Sequence, residues 1–209
     1  MPLRQNTDMH GIRIGIWEID ESEETLLNFF EDKVAVLGQI SAVTNLARRR
    51  EKLAVRILLK TLTGEAKMIV YLPSGKPELA DKSFNISISH TEGFAVLALH
   101  PEQNIGIDIE HISDRAERLI SRFLSLKERE ALDKGNSTVV SLLCWSAKET
   151  VYKLLSREGV DFANDIFIHP FRLIDNKLMA TEYHTGKKRK FILDFEVTAQ
   201  YVLTVGIEG

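Results

Sequence analysis

The sequence predicts an α+β protein, and three observations carry that expectation. Alternating apolar and polar residues mark strands near 12–17, 84–89 and 105–110. Two helix-period stretches lie between and after them, near 48–62 and 137–156, and the tail beyond 162 is strand-rich again. Strand, helix and strand patterns therefore follow one another in each half.

Composition narrows the classes. With 209 residues and 44% hydrophobic content, the chain can bury a proper core as one large domain or two small lobes. Lys and Arg number 27 against 30 Asp and Glu, a formal charge of −3, so no basic surplus points to a nucleic-acid partner. The single cysteine, Cys144, sits in an apolar run and cannot form an internal disulfide, which fits a buried thiol in a reducing compartment. There is no apolar signal core, and no apolar run reaches the ~18 residues a membrane span needs. The expectation is a soluble cytoplasmic protein with no membrane partner.

In chain order, residues 1–10 are polar and expected to be ragged, and Ile12, Ile14 and Ile16 alternate into Trp17 as a first strand. Ser22-Glu23-Glu24-Thr25 starts a helical pattern that runs through Leu26, Leu27 and Phe30 towards Leu37. After Arg48, Arg49 and Arg50, the residues Leu53, Ala54, Ile57, Leu58 and Leu62 define an amphipathic helix that Thr63-Gly64 stops. The arginines read either as a solvated helix surface or as a grip on a phosphate or an adenine ring.

A short strand at 69–72 leads into the turn Pro73-Ser74-Gly75-Lys76-Pro77, which lacks the spacing of a phosphate-binding loop. Phe84, Ile86 and Ile88 alternate with Asn85, Ser87 and Ser89, and His90 follows at the mouth of a hairpin that returns along 94–99. Residues 116–132 read as helix, with Ser125 and Glu128 as a capping box at the point where it can break in two, ended by Asp133-Lys134-Gly135-Asn136. The last helix carries Trp145, Lys148, Glu149, Tyr152 and Lys153; turns follow at Asp175-Asn176 and Thr185-Gly186. Lys187-Lys188-Arg189-Lys190 beside that second turn reads as a solvated hairpin tip.

The chemistry centres on Gly106-Ile107-Asp108-Ile109-Glu110. On a strand, Ile105, Ile107 and Ile109 feed a core while Asp108 and Glu110 share the other face, about 6–7 Å apart, within reach of one hard divalent cation such as Mg²⁺. Alone, an Asp-x-Glu strand is more often a solvated acidic face, and a Glu149/Lys153 pair at i, i+4 is more often a surface ion pair.

Taken together, Gly-Ile-Asp-Ile-Glu at 106–110, Trp-Ser-Ala-Lys-Glu at 145–149 and Lys153 resemble the paired signature of the 4′-phosphopantetheinyl transferase superfamily. Ser-Ile-Ser-His at 87–90 and Gly-Lys-Pro at 75–77 resemble the coenzyme A contacts of its longer, single-chain, surfactin-synthetase-activating type. The resemblance covers roughly residues 46–170.

That resemblance implies two similar lobes, residues 1–103 and 104–209, each a long helix on a small antiparallel sheet, with coenzyme A in the cleft between them. It implies a monomer that transfers the phosphopantetheine arm of coenzyme A to a serine of an apo acyl or peptidyl carrier protein, releasing adenosine 3′,5′-bisphosphate. By the same resemblance Asp108, Glu110 and Glu149 hold Mg²⁺, and Glu149 or a metal-bound water takes the serine proton. Lys153 holds the phosphates with Lys148 assisting, and Asp108 lies against the coenzyme. Ser89 and His90 meet its 3′-phosphate, Lys76 with Pro77 flanks the adenosine part, and Arg48 is the chosen arginine of its run. Thr150 and Ser156 depart from the family's small residue and glycine. The alternatives are a metal-dependent phosphohydrolase and a non-catalytic carrier-binding protein.

Overall fold

The structure, a computed structural model, describes residues 3–9, 11–131 and 137–208. Its first half runs β1 (Leu3–Met9), β2 (Ile12–Glu18), α1 (Glu23–Leu27), α2 (Lys33–Gln39), α3 (Leu46–Thr63), β3 (Ile69–Tyr71), β4 (Pro77–Leu79), β5 (Asn85–Thr91) and β6 (Phe94–His100). The second half runs β7 (Ile105–His111), α4 (Arg115–Arg118), α5 (Ile120–Phe123), α6 (Leu126–Ala131), α7 (Ser137–Leu155), α8 (Phe162–Asp165), β8 (Ile166–Ile168), β9 (Lys177–Glu182), β10 (Lys190–Val197) and β11 (Tyr201–Ile207). The α+β class follows directly from this content.

Two antiparallel sheets form, ordered β1-β2-β6-β5 and β7-β11-β10-β9-β8, beside a small β3-β4 ribbon. In each half a long helix falls between two strands that pair with each other, α3 between β2 and β6 and α7 between β7 and β11. The sheets face one another. Ile12, Ile14 and Ile16 with Val96 and Ala98 meet Ile105, Ile107, Ile109, Leu203 and Val205 in a core between them. The outer face of the first sheet is covered by α3 and that of the second by α7.

Each long helix comes closest to its sheet over a glycine. A Cβ on Gly15 of β2 would lie 2.8 Å from Leu58 of α3, and one on Gly106 of β7 would lie 2.5 Å from the Thr150 carbonyl of α7. Both helices therefore rest nearly on strand backbone at these points.

Several expectations change. Residues 3–9 are a strand, because β2 offers them an antiparallel partner, in unbroken register from Gln5 to Met9. The single helix expected from residue 22 to 37 is two, since Ser22 caps α1 through Thr25 N (3.2 Å) and Asp32 caps α2 anew through Ala35 N (2.9 Å). Residues 115–131 break into three short helices. The Ser125/Glu128 capping box forms in both directions, Ser125 N donating to Glu128 Oε2 (2.8 Å) and Glu128 N to Ser125 Oγ (3.3 Å). The expected helix end at 133–136 lies outside the described residues. No helix among the described residues is long and apolar enough to cross a membrane.

Candidate active site

The alternation of β7 sorts its side chains as its period of 2 requires. Ile105, Ile107 and Ile109 enter the core between the sheets, while Gly106, Asp108 and Glu110 face α7. Because α7 can approach at Gly106, its side chains reach the strand directly. Trp145 Nε1 donates to Glu110 Oε1 at 2.7 Å, and Lys153 Nζ donates to Asp108 Oδ1 at 2.9 Å and to the Ile107 carbonyl at 2.8 Å. Lys153 thus bonds to the strand carboxylate and not to Glu149, its neighbour one helical turn away. Buried hydroxyls hold the helix in register: Thr150 and Ser146 lie 2.7 and 2.9 Å from Thr204 Oγ1 of β11.

The edge strand β5 closes the other side. Ser87 Oγ accepts from Ile107 N at 3.0 Å, Ser89 Oγ donates to Asp108 Oδ1 at 2.8 Å, and Thr91 Oγ1 accepts from His111 N at 3.0 Å. The partner numbers rise together, so β5 and β7 run in the same direction, joined by side-chain hydroxyls.

The charges are crowded. Asp108 is 4% exposed and its Oδ2 is buried with no hydrogen-bond partner. Glu149 is pushed up to about 7 by burial and by repulsion from Asp108, with Lys153 opposing. Glu110 is also pushed up to about 7, by burial, then by Asp108, against the Trp145 hydrogen bond, with further repulsion from Glu149. Three carboxylates therefore share one partly desolvated neighbourhood. Among the described residues no three His, Cys, Asp or Glu side chains converge as a preformed metal cage.

Two cavities open beside this centre. One, of about 240 Å³, runs between the 74–88 segment and the end of α7; its lining includes Lys76, Pro77, Glu149, Tyr152 and Lys153. The other, of about 210 Å³, is lined by Arg48, Glu51, Lys52, Arg56, Tyr71 and His90 among others. They share Gly75, Pro77 and Ile88. In the second, Arg48 Nη1 lies 2.7 Å from each His90 ring nitrogen and 2.9 Å from Glu51. The His90 imidazole is held below its ordinary value by burial, with Glu51 opposing and Arg48 and Lys153 adding to the effect. Lys76 bridges the two halves, donating to Asn104 Oδ1 (2.9 Å) and Ser156 Oγ (3.0 Å).

Of the residues singled out in the sequence, Asp108, Glu110, Glu149 and Lys153 come together, with Arg48, His90, Lys76 and Pro77 along the adjoining cavities. Lys148 requires correction. It is 0% exposed and its ammonium is committed to Glu128 (2.8 Å) and to the carbonyls of Phe162 and Ile166, on the side of α7 away from the carboxylates. No donor remains for a phosphate, and burial lowers its pKa despite Glu128. Ser89 also parts from His90: adjacent strand residues point to opposite faces, so Ser89 turns to Asp108 while His90 turns to Arg48. Sequence reasoning missed Trp145 as the partner of Glu110, Asn104 as the anchor of Lys76, and Thr204. Only the Ser87/Ser89/Thr91 alternation offered a signal for the seam.

Residues 104–205 match the model of the 4′-phosphopantetheinyl transferase superfamily. Similar proteins include the L-aminoadipate-semialdehyde dehydrogenase-phosphopantetheinyl transferase of Homo sapiens, 30% identical over 115 residues that cover 48% of this chain and 37% of that protein. The protein of the same name from Mus musculus is 33% identical over 102 residues, 43% of this chain and 33% of that one. The matched stretch thus spans about a third of the length of these curated relatives. Residues 104–205, just under half of the chain, hold the acidic strand, the α7 cluster and the sheet behind them, and through them the chain is similar to the 4′-phosphopantetheinyl transferase superfamily.

Proposed function

We propose that this protein moves the 4′-phosphopantetheine arm of coenzyme A onto a serine hydroxyl of an apo carrier protein, acyl or peptidyl, with Mg²⁺ as cofactor, releasing adenosine 3′,5′-bisphosphate. The observation that carries the reading is the buried, unpartnered Asp108 Oδ2 beside two carboxylates pushed up to about 7, next to a cleft that Glu149 and Lys153 line. Buried charge of one sign with an oxygen left unsatisfied fits a hard divalent cation held by Asp108, Glu110 and Glu149. With no preformed cage, water would complete the shell, as Mg²⁺ commonly requires. Such a cation supplies charge neutralisation at a pyrophosphate.

The chain's own residues supply the rest. The carrier serine oxygen forms a bond to the phosphorus that bears the pantetheine arm, and the bond from that phosphorus to the oxygen of the leaving adenosine bisphosphate breaks. Glu149, raised in pKa and lining the cleft, is suited to accept the serine proton. Lys153 is placed to steady the negative charge that grows on the phosphate oxygens. In the adjoining cavity, Arg48 and His90, whose pKa burial lowers, suit the coenzyme's 3′-phosphate, which would favour the imidazolium on binding. Tyr71, with Lys52 Nζ 4.6 Å from its ring centre, offers a face for the adenine. Division into units 1–103 and 104–209 around this cleft, a monomeric state and a cytoplasmic location belong to the same proposal.

Intact-protein mass spectrometry tests it. An apo acyl carrier protein incubated with the protein, coenzyme A and Mg²⁺ should gain one phosphopantetheine, and EDTA should prevent the gain. Coenzyme A cleaved with no gain on acyl or peptidyl carriers would replace the transferase with a phosphohydrolase.

A further inference from the structure

We propose that a basic groove beside the cleft docks an acidic segment of the macromolecular acceptor; the inference rests on the transferase reading above and extends it to a surface. The groove, of about 640 Å³, is lined by Lys76, Arg157, His184, Lys187 and Arg189, with Glu208 as the one acid in its lining. It shares Lys76, Ser156 and Arg157 with the smaller cleft. A partner held in the groove therefore has its neighbouring residues at the mouth of the cleft, where a hydroxyl must arrive. In a chain of net charge −3 this concentration of cations is local.

The surface is built rather than loosely solvated. Glu182 is 0% exposed and accepts from Thr185 N (2.9 Å), the Thr185 hydroxyl and Arg189 Nε (3.3 Å). A carboxylate buried there must keep those partners, which pins the turn between β9 and β10. His184 Nδ1 lies 2.9 Å from Asp165 Oδ2 and ties the same turn to α8. Lys187, Lys188 and Lys190 are exposed, as the sequence expectation of a solvated tip at 187–190 has it, and Lys187 with the half-buried Arg189 also lines the groove.

Arg189 and His184 already have acidic partners within the chain. Arg157 and Lys187 have none among the described residues, so these two cations are available to an incoming carboxylate. Cations spread along a groove of this volume match a segment with several carboxylates better than a single small anion, which one or two donors would satisfy.

The test uses the full chain with Lys187→Glu and Lys187→Arg. Apo acyl carrier protein, the probe, is titrated in EDTA at low and high salt, and KM values for carrier and coenzyme A are measured with Mg²⁺. Lys187→Glu should weaken carrier binding about fivefold and flatten its salt dependence, Lys187→Arg should retain both, and KM for coenzyme A should not move. Equal affinity of the wild type and Lys187→Glu overturns the proposal, as does an equal rise in both KM values. A wild type that binds the carrier in a Lys187-dependent way yet transfers nothing would remove the transferase reading and keep the groove. Intact transfer with Lys187-independent binding would remove the groove alone.

Discussion

Ser89 Oγ donates a hydrogen bond to Asp108 Oδ1 across 2.8 Å, joining the edge strand of the first sheet to the acidic strand of the second. With Lys153 on the same oxygen at 2.9 Å, it aims Asp108 and leaves Oδ2 for another ligand. Ser89→Ala should lower kcat about tenfold while leaving KM for coenzyme A unchanged, with a stability loss of about 1 kcal/mol. Steady-state kinetics decide it. A raised KM with normal kcat would return Ser89 to the role of a phosphate contact.

Gly106 is the point on which α7 rests. A methyl group there would sit 2.5 Å from the Thr150 backbone oxygen and 2.9 Å from Leu154, so Gly106→Ala should push the helix outward. The expected cost is about 1–3 kcal/mol in chemical unfolding, the range for overpacking, with loss of transfer as Glu149 and Lys153 move from Asp108.

Lys148 ties α7 to the buried Glu128. Lys148→Met strands the buried Glu128 and should cost about 3–5 kcal/mol, whereas Lys148→Met with Glu128→Leu should recover only part of that loss, because the Ser125 and Ile168 amides then lose their acceptor. Unfolding by urea measures both. A stable Lys148→Met variant with an elevated KM for coenzyme A would restore Lys148 to the phosphates.

Glu110 and Glu149 link stability to pH. Their folded-state values of about 7 lie above the ordinary 4.5, so between these limits the folded state holds more protons than the unfolded one. Their stabilisation is full below 4.5 and is lost as pH rises through about 7. Unfolding at pH 5 and pH 7.5 should show this decline, Mg²⁺ should offset it at the higher pH, and Glu110→Gln with Glu149→Gln should flatten it.

Local pattern determined much of this protein. The period of 2 around Ile105–Glu110 separates core from carboxylates, the spacing in α3 defines its buried face, and the turn residues at 175–176 lead into β9 while those at 185–186 lie between β9 and β10. These features depend on neighbours in sequence, so they can be read there. Partners far apart in the chain are decided only when the sheets and helices pack. Lys148 and Glu149 are adjacent on one helix, yet burial against Glu128 removes the first from the site while the cleft receives the second. Ser89 and His90 are neighbours in sequence, but the opposite faces of β5 meet different elements. The choice of Asp108 over Glu149 for Lys153, the Thr150–Thr204 contact and the basic groove at Lys187 likewise arise from distances across the fold. Hydrogen-bond geometry and desolvation act through space, and sequence spacing alone does not encode them.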